Sequence, residues 1–113
     1  MTEECIFCKI VRGDFNTVFV AETDRAVAFN DITPAAPTHV LVVPKEHITA
    51  LRELDDLSLG AEMLGLVQTV AASAGLHESG YRVITNDGAE AGQSVWHLHF
   101  HVLGGRKLST SMA

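Results

Sequence analysis

The sequence predicts an α+β domain: a five-stranded antiparallel sheet carrying one short and one long helix. Three observations predict it. Leu59, Met63, Leu66, Val67, Val70, Ala71 and Ala74 recur at spacings of three and four, the period of an amphipathic helix. Five short runs have the composition and alternation of strands. The order helix, three strands, helix, two strands lacks the regular strand–helix alternation of a parallel sheet, and points to helices gathered on one side of an antiparallel one.

Taken in order, Ile6, Phe7 and Ile10 form a short helix that Gly13 ends. Val18 to Glu22 and Ala26 to Asn30 are two strands joined through a hairpin turn at Thr23-Asp24-Arg25. Thr38 to Val43 is a third strand, stopped by Pro44. Asp55, Asp56 or Ser58 caps the long helix, and Gly75 sits where it ends. Tyr81 to Asn86 and Val95 to Leu103 complete the sheet.

At 113 residues and 12.2 kDa the chain accommodates one domain, residues 1–113. With 47% apolar and 19% charged residues it lies far from the profile of a disordered chain. Fourteen acidic residues against eight basic ones leave a net charge of -6, which argues against nucleic acid as a partner. No apolar run approaches the about 20 residues needed to cross a bilayer. The acidic Met-Thr-Glu-Glu start lacks the pattern of a secretory signal, so the cytoplasm is the expected location and no membrane partner is expected.

The chemistry concentrates in Val95-Trp96-His97-Leu98-His99-Phe100-His101-Val102-Leu103. In a strand this alternation sets His97, His99 and His101 on one face and Trp96, Leu98, Phe100 and Val102 on the other, core face. Such a histidine face suits metal ligation or nucleophilic and acid–base work by neutral imidazoles. One ion cannot take all three: His97 and His101 lie four residues apart at about 3.3 Å per residue, against a Zn–N bond of about 2.1 Å. The preceding loop, Asp87 to Ser94, has two glycines and a hydroxyl, and can offer N–H groups to an anionic oxygen.

His97-Leu-His-Phe-His-Val-Leu103 resembles the His-φ-His-φ-His-φ-φ motif (φ apolar) of the histidine triad, or HIT, superfamily of nucleotide hydrolases and transferases. Cys5-Ile-Phe-Cys-Lys-Ile, Ala28-Phe-Asn-Asp-Ile, Ala36-Pro-Thr-His-Val-Leu-Val-Val-Pro-Lys-Glu-His-Ile and Gly92-Gln-Ser-Val-Trp-His are similar to its Hint branch. The resemblance implies a HIT-like fold, with the sheets of a homodimer running together. It implies a hydrolase that cleaves purine nucleoside phosphoramidates or related nucleoside monophosphate conjugates through a nucleotidyl-histidine. Dinucleoside polyphosphate hydrolysis, or nucleotide binding with incidental turnover, are the alternatives.

By the same resemblance, His99 is the nucleophile, His101 and Ser94 contact phosphate and assist the leaving group, and His39 supports the triad. Asn86, Gly92 and Gln93 fall among the substrate contacts. Asp31 matches the ribose ligand, where its plainer reading is a turn residue before Thr33-Pro34. Ile6, Phe7, Ile10, Phe29 and Ile32 match the slot for the base, where plain core is the alternative.

Cys5 and Cys8 form a Cys-x-x-Cys pair that, in a reducing compartment, favours metal over disulfide. Similar HIT proteins complete a zinc site with two histidines, here His47 and His97. That implies one structural zinc per chain and no catalytic metal, with two packed thiols as the simpler reading. His77 falls in a polar turn. The chain departs from the Hint pattern after Arg106, where a Trp-Pro-Pro-Gly-type tail is replaced by Lys107 to Ala113. His101 stands where transferase branches carry Gln, which favours hydrolysis.

Overall fold

A computed structural model describes residues 4–113. The elements follow the expected order: α1 (Ile6–Val11), β1 (Ala21–Glu22), β2 (Ala26–Asn30), β3 (Thr38–Pro44), α2 (Leu57–Ser73), β4 (Tyr81–Ile84) and β5 (Phe100–Gly104). Short 3-10 turns lie at Leu51–Glu53 and Ala89–Ala91. The five strands form one sheet in the order β1-β2-β3-β5-β4, and every neighbouring pair is antiparallel.

The two helices lie on opposite faces of this sheet, contrary to the expectation of a single helical side. Alternation along the central strands explains it, because both faces are apolar. Ala26, Ala28, Val40, Val42, Phe100 and Val102 point to α2 and meet Leu59, Met63, Leu66, Val67 and Val70. Val27, Phe29, Leu41 and Val43 point the other way and meet Phe7 of α1. The Asp56 carboxylate caps α2 by accepting the Ser58 N–H, and Gly75 follows at φ +73°.

Three strands are shorter than their apolar patterns. Only Ala21 and Glu22 of the expected first strand pair fully; Val18 is exposed at the sheet edge. β4 stops at Ile84, because the Thr85 hydroxyl turns inward to donate to the His99 carbonyl at 2.7 Å. β5 starts only at Phe100, although the pattern ran from Val95. A bend over residues 95–97 and a hydrogen bond from Leu98 N–H to the Ile48 carbonyl at 2.6 Å replace the ladder there. Strict alternation therefore fails at its start: Trp96, expected in the core, is 48% exposed, and His97 is fully buried.

Candidate active site and metal-binding cluster

The bend before β5 divides the three triad histidines between two jobs. His97 turns toward α1 and the segment after β3, whereas His99 and His101 lie on the α1 face of the sheet beside His39 of β3. Register supports this, since His101 pairs with Leu41 and His39 with Leu103 across the β3–β5 ladder.

Main-chain groups set the tautomers of His99 and His39, and His39 sets that of His101. His99 Nδ1 lies 2.7 Å from the His97 carbonyl, which can only accept, so Nδ1 carries the proton and Nε2 keeps its lone pair. His39 Nδ1 accepts the Ala35 N–H at 3.0 Å, so the proton of that ring sits on Nε2. That N–H donates to His101 Nδ1 at 2.9 Å, leaving the one ring proton of neutral His101 on Nε2. The result is a lone pair on His99 next to an N–H donor on His101, with ring centroids 5.0 Å apart.

Burial reinforces the neutral forms. It pushes the His99 imidazolium below its ordinary range, the His97 carbonyl opposing. His101 falls to about 4, through burial first and then the charges of His99 and His39. Phe7 closes the site from below, its ring edge-on to His99 at 5.1 Å and to Phe29 at 5.7 Å.

Asp31 serves the turn and faces the site at once. One carboxylate oxygen accepts the Thr33 N–H at 2.8 Å, and the other lies 3.5 Å from His39 Nε2. Asp31, His39 and His101 are close enough to hold an ion, but the Ala35 bond keeps the His39 proton on the very nitrogen an ion would need. His39 and His101 form a proton-donor chain beside the Asp31 carboxylate.

The opposite tautomer logic holds at the cysteines. His97 Nε2 donates to the Pro44 carbonyl at 2.9 Å, so Nδ1 presents a lone pair. That nitrogen lies 3.3 Å from Cys5 Sγ and 3.6 Å from Cys8 Sγ, and His47 Nδ1 lies 3.3 Å from Cys8 Sγ. Zn–S and Zn–N bonds of about 2.3 and 2.1 Å at tetrahedral angles separate S and N by roughly 3.6 Å, so the spacing and the Cys₂His₂ donor set fit zinc. Burial and the adjacent Cys5 push the Cys8 thiol up to about 11, so its proton leaves readily only when a cation arrives. Burial holds His97 down at about 4, with its imidazole neutral.

The remaining expected residues separate clearly. Phe7 and Phe29 are buried in the smaller core with Ile10 packed against it, while Ile6 is half-exposed and Ile32 is 95% exposed. Ser94 is exposed in an open cleft of about 600 Å³ with Cys5, Ile6, His47, Val95 and Trp96. Asn86 is half-buried at the head of the loop, and Gly92 holds a left-handed φ of +88°. Gln93 is buried with both amide protons given to main chain, to the Thr49 and Val95 carbonyls, while its oxygen takes the Gly88 N–H. Its side chain braces the loop. His77 stacks on Tyr81, away from the site. Sequence reasoning missed Thr85 and the Arg52–Asp87 pair, whose partners are set only by strand pairing and loop folding.

Known proteins resemble this chain over nearly its full length. The sequence model of the HIT domain matches residues 12–108. A HIT-like protein of Synechococcus elongatus, itself uncharacterized, is 44% identical, covering 96% of each chain. The purine nucleoside phosphoramidase of Escherichia coli K12 is 39% identical over all of this chain and 97% of its own. A solved HIT family hydrolase from Clostridium thermocellum superposes with a TM-score of 0.93 at 41% identity and 98% coverage of both chains. A histidine triad nucleotide-binding protein from Candida albicans gives 0.82 at 32%, covering 97% of this chain and 87% of that one.

Proposed function

The chain belongs to the HIT domain family, and from that premise we propose that it hydrolyses purine nucleoside phosphoramidates or related nucleoside monophosphate conjugates through a nucleotidyl-histidine. The observation that carries the reading is the His99 tautomer. Its Nδ1–H is held by the His97 carbonyl, so the Nε2 lone pair is available at neutral pH.

His99 Nε2 attacks the α-phosphorus; the new P–N bond forms as the bond to the leaving amine breaks. The His97 carbonyl stabilises the imidazolium that results. His101, oriented by His39, and Ser94 bear on the phosphate oxygens, and the Ser94 hydroxyl proton passes to the departing amine. Water then attacks phosphorus, its proton restores the one lost, and nucleoside monophosphate departs with His99 neutral. Asn86 and the Gly92 main chain contact phosphate, and the Asp31 oxygen not tied to the turn takes the ribose hydroxyls. Phe29, Phe7 and Ile10 back the purine, with Ile6 and Ile32 at the rim. A substrate named in an Escherichia coli relative 39% identical over the whole chain supports this reading over dinucleoside polyphosphates.

Cys5, Cys8, His47 and His97 would hold one structural zinc, which when bound would tie α1 to the sheet; the mechanism calls on no catalytic metal. The unpaired outer edge of β4, together with exposed Val83, Leu57 and Leu64, supports a homodimer with a continuous sheet. Free cysteines suit the reducing cytoplasm, and among the described residues no helix is long and apolar enough to cross a membrane.

The test is His99→Ala assayed against adenosine phosphoramidate and a dinucleoside polyphosphate. Turnover should fall by about 10³-fold or more while AMP binding persists. Retained turnover would sink the mechanism. Wild-type preference for the polyphosphate would move the protein to the alternative substrate class, and tight binding without turnover would make it a regulatory module.

A further inference from the structure

The loop from Asn86 to Ser94 has no ladder of its own, yet phosphate contacts demand that its N–H groups be held in place. Two ties fasten it to the segment after β3. One is Gln93, whose amide bridges Gly88 to the Thr49 carbonyl from within. The other lies at the surface. The Asp87 carboxylate accepts the main-chain N–H of Arg52 at 2.8 Å on one oxygen and the Arg52 Nε–H at 2.7 Å on the other.

We propose that Arg52 and Asp87 are a positioning pair: they clamp the N-terminal end of the phosphate-binding loop to the 3-10 turn at Leu51–Glu53 and so set the loop's geometry for catalysis. The proposal rests on the phosphoramidate reading for what the loop binds. Both carboxylate oxygens are used, which fixes the direction as well as the distance of the contact. The next residue, Gly88, stands at φ +101°, and a Cβ there would meet Arg52 Nη2 at 3.1 Å, so guanidinium and loop backbone are closely packed. Arg52 and Asp87 also line one open cleft with Trp96, which adjoins the triad.

An exposed ion pair adds little to global stability, so the clamp should show itself in kinetics more than in melting. Asp87→Ala, Asp87→Asn, Arg52→Ala and the double alanine variant are compared with wild type for kcat/KM on adenosine phosphoramidate, AMP affinity by calorimetry, and melting temperature. Asp87→Ala should lower kcat/KM by about 10- to 100-fold. Asp87→Asn, which keeps an acceptor for one Arg52 N–H and sets an amide donor against the other, should recover only part of it. The double variant should be no worse than Asp87→Ala, the non-additivity expected of one shared contact. Additive losses, a kcat/KM for Asp87→Ala within about twofold of wild type, or losses that follow melting temperature alone would each overturn the clamp. If wild type turns over no phosphoramidate but binds AMP, the functional reading fails, and an AMP affinity unaltered by Asp87→Ala then overturns the clamp as well.

Discussion

His39 donates its Nε2–H to Nδ1 of His101 across 2.9 Å, while its own Nδ1 is pinned by the Ala35 N–H. A main-chain amide in the turn before β3 thereby decides which nitrogen of a β5 histidine carries its proton.

This chain works only while His101 is neutral, which sets the pH dependence. Its folded value of about 4 lies below the ordinary 6.5. Between those values the unfolded chain binds more protons than the folded one, so stability falls as pH drops and is fully present above about pH 6.5. Burial holds His99 below its ordinary range as well, so we expect kcat to stay level as pH falls through about 6.5, where an unperturbed histidine would begin losing activity, and to decline only below it. A pH–rate profile checks it, alongside melting temperatures between pH 4 and 7.

Asp31→Ala should raise KM for ribonucleotide substrates by about tenfold and lower kcat less, as loss of a ground-state contact does. Asp31→Asn keeps an acceptor for the Thr33 N–H and separates the turn from the ribose contact. The comparison substrate is the 2′-deoxy nucleotide, on which Asp31→Asn should match wild type. Equal effects on ribo and deoxy substrates would reduce Asp31 to its turn.

Zinc should be found at about one ion per chain in protein purified without a histidine tag. Cys8→Ser should lose the ion and lower the melting temperature by several degrees, since binding energy confined to the folded state adds to stability. Elemental analysis and melting curves with and without chelator provide the check. A metal-free native protein melting at the same temperature as the chelated one returns Cys5 and Cys8 to packed thiols.

The legible parts of this fold were those where one side chain's period decides its element. α2 was readable from its own apolar spacing, and β2 and β3 from theirs, because both strands are buried on both faces. Residues 95–99 were misread as ladder for the same reason: alternation is a necessary mark of a strand, and it does not reveal that Leu98 N–H has found the Ile48 carbonyl instead. Opposite placement of the helices was hidden because α1 offers only Phe7 as a buried anchor. At the site, residue types were legible and tautomers were not. Three histidines in the sequence look equivalent; the carbonyls of His97 and Pro44 and the hydrogen bond from His39 leave His99 a free Nε2 lone pair, His97 a free Nδ1 lone pair and His101 an Nε2–H donor.

The exposed position of Trp96 has one more use. It is the sole tryptophan of the chain, and it stands between the cleft holding Ser94 and the cleft holding Arg52 and Gly88. An indole so placed is a built-in optical reporter. Its emission senses the water around the loop, so the arrival of a ligand in either cleft can be followed by fluorescence on the unlabelled protein.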